Sequence, residues 1–381
     1  QTRANHLPPT PMAKGGVTRY ERAPAWPGYT FLTIFRDNRF GAMLIDMEGQ
    51  VLHRWEIAFS EAFPEPRHLD VPPPDYDMVL HGTALLPGGD VILNMEGLGA
   101  VRLDRCSQPV WRLPRMTHHT VDYLPNGETM IAVDRTRHPA DPRYPRLSPG
   151  PEGYYIENFV VRLRPDGSVA QEVPLMDILY DSGWASLLFY GEESTIRTEQ
   201  PTHMNDIEVL REDMAAAFPQ FRAGDVMLSI RNSNTIMVVD GQTWRVKWTM
   251  TGPFLYQHDP DFMPNGHILL FDNRRTGGRP RLGYSRVIEI DPATRDIVWS
   301  YQGTDEEPFY TDIRGMQQLL PNGNVLVLEA QQGRVFEVAR ESDNRIVWEY
   351  VNLARDGYVG LITGAERVAP EQVTFLGGSC G

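Results

Sequence analysis

Cysteine and basic side chains are both scarce in this chain of 381 residues. Its two cysteines, Cys106 and Cys380, are too few for a zinc finger and do not form a CxxC redox motif. They either form a disulfide that ties the C-terminal tail to the body or are two unrelated thiols, and the sequence leaves both alternatives open. Because 36 Lys and Arg residues face 50 Asp and Glu residues, the formal net charge is -14, which argues against nucleic acid and against an anionic membrane surface as partners.

Three further absences narrow the choice of function. No run of about 18 apolar residues is present, so we expect no membrane-spanning segment. There is no P-loop and no other phosphate cradle, so we expect no nucleotide cofactor. Amphipathic helical stretches are scarce, which makes an alternating α/β architecture a poor fit. The acidic composition still permits a small anionic substrate wherever His and Arg residues cluster.

The chain is rich in turn-forming residues, with 33 Gly and 31 Pro, and their placement is periodic. A Pro-x-Gly turn separates two apolar runs at residues 87–89, 125–127, 264–266 and 321–323. Such a turn is typical of a β-hairpin, because the glycine accepts a positive φ. A complete repeat adds two more strands, the last ending in a Val-Trp pair, over about 40 residues, which is the period of a propeller blade. We therefore predict an all-β fold, a six-bladed β-propeller with four-stranded antiparallel blades.

The two ends of the chain and two insertions depart from the repeat. Residues 1–27 show no periodicity and are predicted to form an arm on the body, whereas residues 28–381 are predicted to form a single propeller domain. The first repeat lacks an opening hairpin, so we expect residues 360–376 to supply the missing strands and close the ring. The insertions at 136–157 and 175–202 are predicted to form a surface loop and a short helix, and both are candidates for a lid over one end of the ring.

One histidine recurs at the same point of the repeat. His81, His119 and His258 each lie six residues before the proline of the turn. His203 occupies the equivalent place in the fourth repeat, whereas the sixth repeat has Gly315 there. Because the first strand of every blade borders the central channel, we expect the four histidines to converge at one mouth of that channel.

Two kinds of chemistry can use such a cluster. Neutral imidazoles bind a metal, so a metal-dependent enzyme such as an oxygenase or lyase that uses the four histidines is one alternative. In the other, one histidine is a nucleophile or general base and its neighbours stabilise an anion. The second chemistry needs a fixed cation, for which Arg231 at the end of a strand in the fourth repeat is the candidate. A non-catalytic propeller that binds a partner protein is a third alternative.

Three segments in a fixed order carry a resemblance to a known family, together with the repeated Leu-Pro-Asn-Gly turns. The segments are Pro201-Thr202-His203-Met204-Asn205, Leu228-Ser229-Ile230-Arg231 and Gln257-His258-Asp259. In these features the chain resembles the bacterial arylsulfate sulfotransferases, and the resemblance covers the six repeats. It therefore implies a transferase built on a propeller.

The resemblance also implies a role for each matched residue. His258 would be the nucleophile that carries the sulfuryl group as a sulfohistidine. His119, His203 and Arg231 would surround the sulfate oxygens, and Asn205 would help to orient the site. Members of the family move sulfate from one phenol to another without a nucleotide sulfate donor, so the resemblance implies a small aromatic substrate and no cofactor.

Other residues near the predicted mouth are candidates for substrate binding. His81, Tyr256 and Asp259 are predicted to line the substrate site. Several aromatic residues are predicted to stack on an aryl substrate: Phe254, Tyr256, Trp184, Phe189 and Tyr190.

Two features of the sequence bear on the substrate and on the compartment. Asp259 and Asp261 follow His258 closely, which disfavours an anion at that mouth and keeps a neutral or cationic substrate as an alternative. The first residue is Gln, a disulfide is one of the alternatives for the two cysteines, and the family acts outside the cytoplasm. We therefore expect a periplasmic or secreted protein, and the oligomeric state is left open.

Overall fold

Six antiparallel four-stranded sheets form the blades of a β-propeller. A computed structural model of the chain describes residues 6–137, 143, 153–189, 199–276, 282–341, 343–378 and 380. The innermost strand of each sheet contacts the innermost strands of the two neighbouring sheets, and these contacts run around the whole ring. The predicted six-bladed propeller is therefore confirmed.

The first three blades each run through four strands from the channel outwards. Blade 1 contains β27 (Ile362–Val368), β2 (Tyr29–Arg36), β3 (Arg39–Ile45) and β4 (Val51–Trp55). Blade 2 contains β5 (Leu80–Leu85), β6 (Val91–Met95), β7 (Gly99–Leu103) and β8 (Pro109–Leu113). Blade 3 contains β9 (Thr117–Tyr123), β10 (Thr129–Arg137), β11 (Tyr155–Leu163) and β12 (Val169–Pro174).

The second half of the ring follows the same order. Blade 4 contains β13 (Met204–Val209), β14 (Val226–Ile230), β15 (Thr235–Val239) and β16 (Val246–Thr251). Blade 5 contains β17 (His258–Phe262), β18 (Ile268–Asp272), β19 (Arg286–Ile290) and β20 (Ile297–Gln302). Blade 6 contains β21 (Met316–Leu319), β22 (Val325–Glu329), β23 (Arg334–Ala339) and β24 (Arg345–Val351), with β1 (Gly16–Tyr20) added at its outer edge.

The remaining elements are short. Two strands, β25 (Leu353–Arg355) and β26 (Tyr358–Val359), form a separate hairpin. The α-helices are α1 (Phe59–Ala62), α2 (Leu175–Asp181) and α3 (Glu212–Ala215), and 3-10 helices cover Asp75–Asp77, Ala185–Leu188, Arg231–Ser233, Ala330–Gln332 and Pro370–Gly377. Within the described residues, no helix has the length and apolar character that crossing a membrane requires.

The hydrophobic core is divided among the interfaces between blades. The described residues form six clusters of buried side chains, and each cluster lies between two neighbouring blades. The tryptophan near the end of the outer strand adds a hydrogen bond to the same interfaces. The indole of Trp55 donates to the Gly89 carbonyl of blade 2, and that of Trp348 donates to the Met47 carbonyl of blade 1. These tryptophans therefore link each of their blades to the next one.

The ring is closed by strands from both ends of the chain, as predicted. β27 from the C-terminal region pairs with β2 and is the innermost strand of blade 1. The second half of the predicted closing segment is not a strand, because residues from Pro370 to Gly377 form a 3-10 helix. Phe375 of this helix packs on Trp55, and Cys380 forms a disulfide with Cys106 of blade 2. The disulfide alternative is thus the one that the structure contains.

The two insertions begin or end differently from the prediction. β10 and β11 extend into the predicted loop at 136–157, where Arg137 pairs with Tyr155, because backbone pairing continues as far as these residues. The remainder of that loop lies outside the described residues, apart from residue 143 and residues 153 and 154. In the 175–202 insertion, α2 buries four side chains in the cluster between blades 3 and 4. Its predicted role as a lid stays a prediction.

Candidate functional site

Each of the four predicted histidines lies beside an irregularity in an innermost strand. In blades 2 to 5 the pairing of the first and second strands shifts register close to the histidine. His119 and His203 have φ values of 53° and 50°, and Gly82 has 85°. A Cβ atom on Gly82 would lie 1.4 Å from the His119 carbonyl oxygen, so only glycine fits there. Bulges of this kind redirect side chains, and backbone strain of this kind is concentrated at functional sites.

The bulges bring the four histidines together into what we call the histidine cluster: His81, His119, His203 and His258. The ring centroid of His119 lies 4.3 Å from that of His81, 4.8 Å from that of His203 and 6.2 Å from that of His258. The Nε2 atoms of His119 and His203 are 3.3 Å apart. All four residues come from different blades, as the repeat predicts; three are buried and His203 is half-buried.

A fifth histidine, which the repeat does not predict, joins this cluster. His118 Nδ1 lies 3.0 Å from His119 Nδ1, and His118 Nε2 lies 2.9 Å from a carboxylate oxygen of Asp134. The sequence does contain the pair His118-His119, but only His119 lies at the repeated position six residues before a turn proline. Asp134 thus lies against the side of the His118 imidazole that faces away from His119, at a distance but not at an angle that suits a hydrogen bond.

The hydrogen bonds of His258 define which of its nitrogens carries the proton. Its Nδ1 lies 2.7 Å from Asn273 Oδ1 and 3.0 Å from the Tyr256 carbonyl oxygen. The orientation of the Asn273 amide is set by its Nδ2, which donates to the carbonyls of Thr311 and Arg314. Both atoms that face Nδ1 are therefore acceptors, so Nδ1 is protonated and Nε2 keeps its lone pair.

The polar residues that follow the second strand of a blade were also not identified from the sequence, apart from Arg231. Because the first two strands of a blade are antiparallel, the end of the second lies beside the start of the first, where the histidines are. Glu96 follows β6, Asn273 follows β18, and Arg231 follows β14. A polar residue directly after an otherwise buried strand was the available signal, and it would have indicated all three.

Arg231 lies between two of the histidines and an aromatic ring. Its backbone nitrogen donates to the His203 carbonyl over 3.1 Å, and its guanidinium group lies 5.5 Å from the Tyr256 ring centroid. It also donates from Nε and Nη2 to Asn232 Oδ1, at 3.2 Å each. Arg275 approaches the same ring at 5.1 Å, so Tyr256 is held by two cations at this mouth.

Asn205 fixes the backbone next to His258 rather than the imidazole itself. Its Nδ2 donates to the Gln257 carbonyl over 2.7 Å, and the residue is buried. The Gln257 side chain donates in turn to Ser229 Oγ and to the carbonyls of Ile230 and Thr235 in blade 4. These bonds join blade 4 to the strand that carries His258.

Burial keeps the imidazoles of the cluster neutral. It lowers the pKa of His258 to about 3, with the charge of Arg231 as the next contribution. Burial also lowers the pKa values of His119 and His203 well below 6.5, with His81 acting further on the first and Arg231 on the second. Neutral imidazoles have the lone pair that a nucleophile or a metal ligand needs.

The cluster lies between two cavities. A cavity of about 220 Å³ is lined on one side by His118, His119 and His203 together with Glu96 and Gln200. A narrow passage of about 90 Å³ is lined by His81, His119, His258, Asn205, Asp206 and Asp259. The passage leads away from the cluster towards a larger cavity of about 660 Å³, with which it shares Thr83, Asp259 and Met316.

Carboxyl groups replace imidazoles along this passage and in the larger cavity. Burial raises the pKa of Asp259 to about 7 and that of Glu366 to about 7. Burial, together with the neighbouring Asp259, also raises the pKa values of Asp206 and Asp261 well above 3.8. The predicted acidic residues beside His258 are thus present, but their raised pKa values reduce the negative charge that they carry near neutral pH.

One set of donors could hold a metal ion. Ligand atoms of His81, Glu96 and His119 all lie within 4.8 Å of one another, and two neutral imidazoles with one carboxylate suit Fe, Zn or Cu. Among the described residues, these three have ligand atoms within 4.8 Å of one another, whereas the four predicted histidines together do not. Arg314 Nη2 lies 3.0 Å from Glu96 Oε2 and competes with a cation for the carboxylate.

The aromatic residues predicted to stack on a substrate are spread through the molecule. Phe254 is buried in the cluster between blades 4 and 5. Trp184 and Phe189 pack against the cluster between blades 3 and 4, and Tyr190 lies outside the described residues. Tyr256 is the one that lies beside Arg231. Stacking on a substrate stays a prediction.

One solved structure shares the fold of this chain with a TM-score above 0.5. A protein of unknown function from Bacteroides caccae is similar with a TM-score of 0.55 and 11% identity, over 89% of this chain and 98% of that one. The WD40 β-propeller domain of Doa1 is similar with a TM-score of 0.43 and 10% identity, over 91% of this chain and 86% of that one. No curated protein matches the chain.

Comparison with protein families shows more than the fold. The family described as Arylsulfotransferase (ASST) matches residues 82–353. That range covers most of the chain and includes Arg231, Asn273 and three members of the histidine cluster, with His81 directly before it. The chain belongs to the arylsulfotransferase (ASST) family.

Proposed function

We propose that the protein transfers a sulfuryl group from an aryl sulfate to a phenol, without a nucleotide donor, through a sulfohistidine on His258. Membership of the arylsulfotransferase family supports a sulfotransferase in general. The identity of the nucleophile rests on the geometry of the histidine cluster. We place the activity outside the cytoplasm, and the disulfide between Cys106 and Cys380 supports this, since such bonds persist in oxidising compartments.

The observation that carries the proposal is the pair of acceptors at His258 Nδ1. Asn273 Oδ1 and the Tyr256 carbonyl hold the proton on Nδ1, 2.7 Å and 3.0 Å away, so the lone pair is on Nε2. A pKa lowered to about 3 keeps this imidazole neutral throughout the neutral range. An oriented, unprotonated nitrogen is what attack on sulfur requires.

The transfer then takes place in two balanced steps. His258 Nε2 attacks the sulfur of the donor, an N–S bond forms, and the S–O bond to the aryl group breaks with its electron pair going to the phenolate. In the second step the acceptor phenol loses its proton, its oxygen attacks the sulfur, and the N–S bond breaks to return neutral His258. The proton lost by the acceptor balances the one gained by the released phenol.

Neighbouring groups stabilise the charge that moves in these steps. The Arg231 guanidinium group is the nearby fixed cation, and it already acts on the pKa values of His203 and His258. The Nε2 atoms of His119 and His203 face each other at 3.3 Å and share one N–H, which a sulfuryl oxygen bound at this point would accept in place of the neighbouring ring. Several donors around the sulfuryl oxygens lower the barrier more than one donor does.

Steady-state kinetics tests the proposal. We expect purified protein to release p-nitrophenol from p-nitrophenyl sulfate when a phenol acceptor is added, with the parallel-line pattern of a ping-pong reaction. His258→Ala should abolish release, whereas His267→Gln should not, because His267 lies at the other end of the same hairpin and pairs with Glu289. Failure of the wild-type protein to release p-nitrophenol with any phenol would overturn the proposal.

A metal-dependent reaction is the second candidate, because His81, Glu96 and His119 form a set of donors within 4.8 Å. Elemental analysis of protein purified without chelator separates the two candidates. Stoichiometric Fe, Cu, Mn or Zn that is lost in His81→Ala would support the second candidate. Transfer activity that survives exhaustive chelation would support the first.

A further inference from the structure

The larger cavity beyond the passage has an unusual lining. We call it the acidic chamber: a cavity of about 660 Å³ into which Glu208, Asp259, Asp261 and Glu366 project from blades 1, 4 and 5. Its walls are otherwise mainly apolar, formed by Phe31, Phe262, Met263, Met316 and Leu319 among others. No Lys, Arg or His is among its described lining residues. A ligand in this chamber therefore contacts apolar side chains and hydrogen-bond acceptors.

The described residues give the carboxyl groups of the chamber no cationic partner. Within the described ranges, none of the four forms an ion pair, whereas nearby Asp122 is paired with Arg211. Instead the Phe262 backbone nitrogen donates to Glu208 over 2.7 Å, and the Gln317 backbone nitrogen donates to Asp259 over 3.0 Å. All four are half-buried and face one cavity, so four carboxyl groups without a counter-ion point to a cationic partner from outside.

Two amide oxygens give an independent indication of a missing ligand. Gln317 lines the chamber and is 4% exposed, and its Nε2 donates to Asp261 over 2.9 Å and also to the Asp259 carbonyl. Its Oε1 finds no hydrogen-bond partner in the described structure. Asn205 Oδ1, in the passage and on a residue that is also 4% exposed, lacks a partner as well among the described residues. Buried acceptors without donors are rare and call for one.

The chamber is continuous with the proposed reaction site. Asp259 follows His258 directly and lines both the passage and the chamber. Because a strand rises about 3.3 Å per residue, the distance along β17 from His258 to Asp261 is at most about 10 Å. A phenol with a short para substituent has a comparable length, so one molecule can reach both ends.

We propose that the acidic chamber binds the ammonium group of a phenolic amine whose hydroxyl or sulfate ester reaches His258. This inference rests on the proposed function and names its substrate class. The ammonium group supplies the donors and the charge that the carboxyl groups lack, and the aryl ring and its alkyl chain fill the apolar walls. A bare metal ion would leave those walls without a partner, which favours an amphipathic cation.

Burial also explains why the chamber is stable without its ligand. Burial raises the pKa values of Asp259 and Glu366 to about 7, and burial and neighbouring carboxylates raise those of Asp261 and Glu208, so the empty chamber carries less negative charge near neutral pH than four ordinary carboxylates would. An entering ammonium group favours their ionised forms, so binding is coupled to release of protons.

The experiment compares three acceptors of similar size with p-nitrophenyl sulfate as donor. They are 4-(2-aminoethyl)phenol, neutral 4-propylphenol and anionic 3-(4-hydroxyphenyl)propanoate. We expect kcat/KM to be highest for the amine, at least about tenfold above the neutral phenol, which corresponds to the ~1.4 kcal/mol of one added charge interaction. The carboxylate should be the poorest acceptor. Equal values for the amine and the neutral phenol would overturn the inference.

Substitutions in the acidic chamber test whether its carboxyl groups select the amine over the neutral phenol. In the double variant Asp261→Asn/Glu366→Gln the ratio of kcat/KM for amine over neutral phenol should fall about tenfold, since two charges are removed. These changes preserve the shape and the neutral state of protonated carboxyl groups, which favours correct folding. Glu306→Gln, an exposed residue, is the matched control and should keep the wild-type ratio. An unchanged ratio in the double variant would place the selectivity elsewhere and contradict the inference.

Binding without turnover separates this inference from the proposed function. Isothermal titration calorimetry with 4-(2-aminoethyl)phenol alone should show saturable binding to the wild-type protein that is lost in the double variant. Binding of this kind in a protein that transfers no sulfate would support the chamber and overturn the sulfuryl transfer. Transfer to the neutral phenol without any binding of the amine would support the sulfuryl transfer and overturn the binding of the amine in the chamber.

Discussion

At the two ends of the passage through the propeller, burial shifts the pKa values of the side chains in opposite directions. At one end burial lowers the pKa values of the histidines, and that of His258 falls to about 3. At the other end burial raises the pKa values of the carboxyl groups, and that of Asp259 reaches about 7. Burial thus disfavours the charged form of both the basic and the acidic side chain at these neighbouring positions of the sequence.

The difference between the two ends shows that the formal charge of the chain says little about the charge of this passage. With 50 acidic and 36 basic residues the protein is acidic, and Asp259 beside His258 suggests repulsion of a sulfate ester. A protonated Asp259 does not repel an anion, whereas the fixed charge of Arg231 attracts one. The same site can therefore take a sulfuryl group at the histidine end and a cation at the acidic end.

The largest effect should come from removing the nucleophile. His258→Ala removes the lone pair that attacks sulfur, so we expect kcat for sulfuryl transfer to fall by about 10⁴-fold or more. Release of p-nitrophenol measures this loss. A fall of less than tenfold in a correctly folded variant would show that another residue carries the sulfuryl group.

A smaller loss is expected when the fixed cation at the histidine end is removed. Arg231→Ala should lower kcat/KM by about 10²- to 10³-fold, the usual result of removing one group that stabilises transition-state charge. Arg275→Ala is the matched control, because Arg275 contacts the same Tyr256 ring at 5.1 Å. Similar losses in both variants would mean that Arg231 acts by holding the Tyr256 ring and not by binding the anion.

Asn273 should act on the protonation pattern of His258 and not on the substrate. In Asn273→Ala the Nδ1 proton loses its 2.7 Å acceptor and keeps only the Tyr256 carbonyl at 3.0 Å, so the preference for the tautomer with the lone pair on Nε2 weakens, and we expect kcat to fall by about 10- to 100-fold. Nitrogen NMR of histidine-labelled protein measures the two tautomers directly. Loss of activity with an unchanged tautomer ratio would disprove this role.

The last effect concerns stability rather than activity, and its sign differs between the two ends. The pKa of Asp259 rises from 3.8 to about 7 on folding, so its contribution to stability is complete below about pH 4 and is lost as the pH rises towards 7. The pKa of His258 falls from 6.5 to about 3, so its contribution is lost as the pH falls through that range. At about 1.4 kcal/mol per unit of pKa, each effect amounts to a few kcal/mol at most.

Thermal unfolding of Asp259→Asn checks this sign. The side chain of Asn cannot ionise, so the Tm of the variant relative to the wild type should be higher at pH 8 than at pH 4. A difference in Tm that is the same at both pH values would show that Asp259 does not titrate between them.

Much of this arrangement follows from the repeat in the sequence. The phase of the Pro-x-Gly turns predicted the six blades, and the same phase brought His81, His119, His203 and His258 to one place. The Val-Trp pairs were recognised as a repeat, but the hydrogen bonds of the tryptophans to the next blade depend on how blades pack. A periodic signal is sufficient for residues that recur at one position.

Residues that act only once in the chain could not be predicted in this way. Asn273 matters because its amide bonds to Thr311 and Arg314, which lie between blades 5 and 6, and no local pattern specifies that contact. Glu366 reaches the chamber because the C-terminal strand β27 is the innermost strand of blade 1. The pairing of Cys106 with Cys380 has the same origin, since ring closure brings together residues 274 positions apart.

The most direct test of the central claim is the mass of the protein after brief mixing with p-nitrophenyl sulfate in the absence of an acceptor. We predict the added mass of one SO3 group, located by peptide mapping on His258, stable in base and lost in acid, with release of one equivalent of p-nitrophenol. An added SO3 group on any other residue, or p-nitrophenol release with no adduct on His258, would contradict the account.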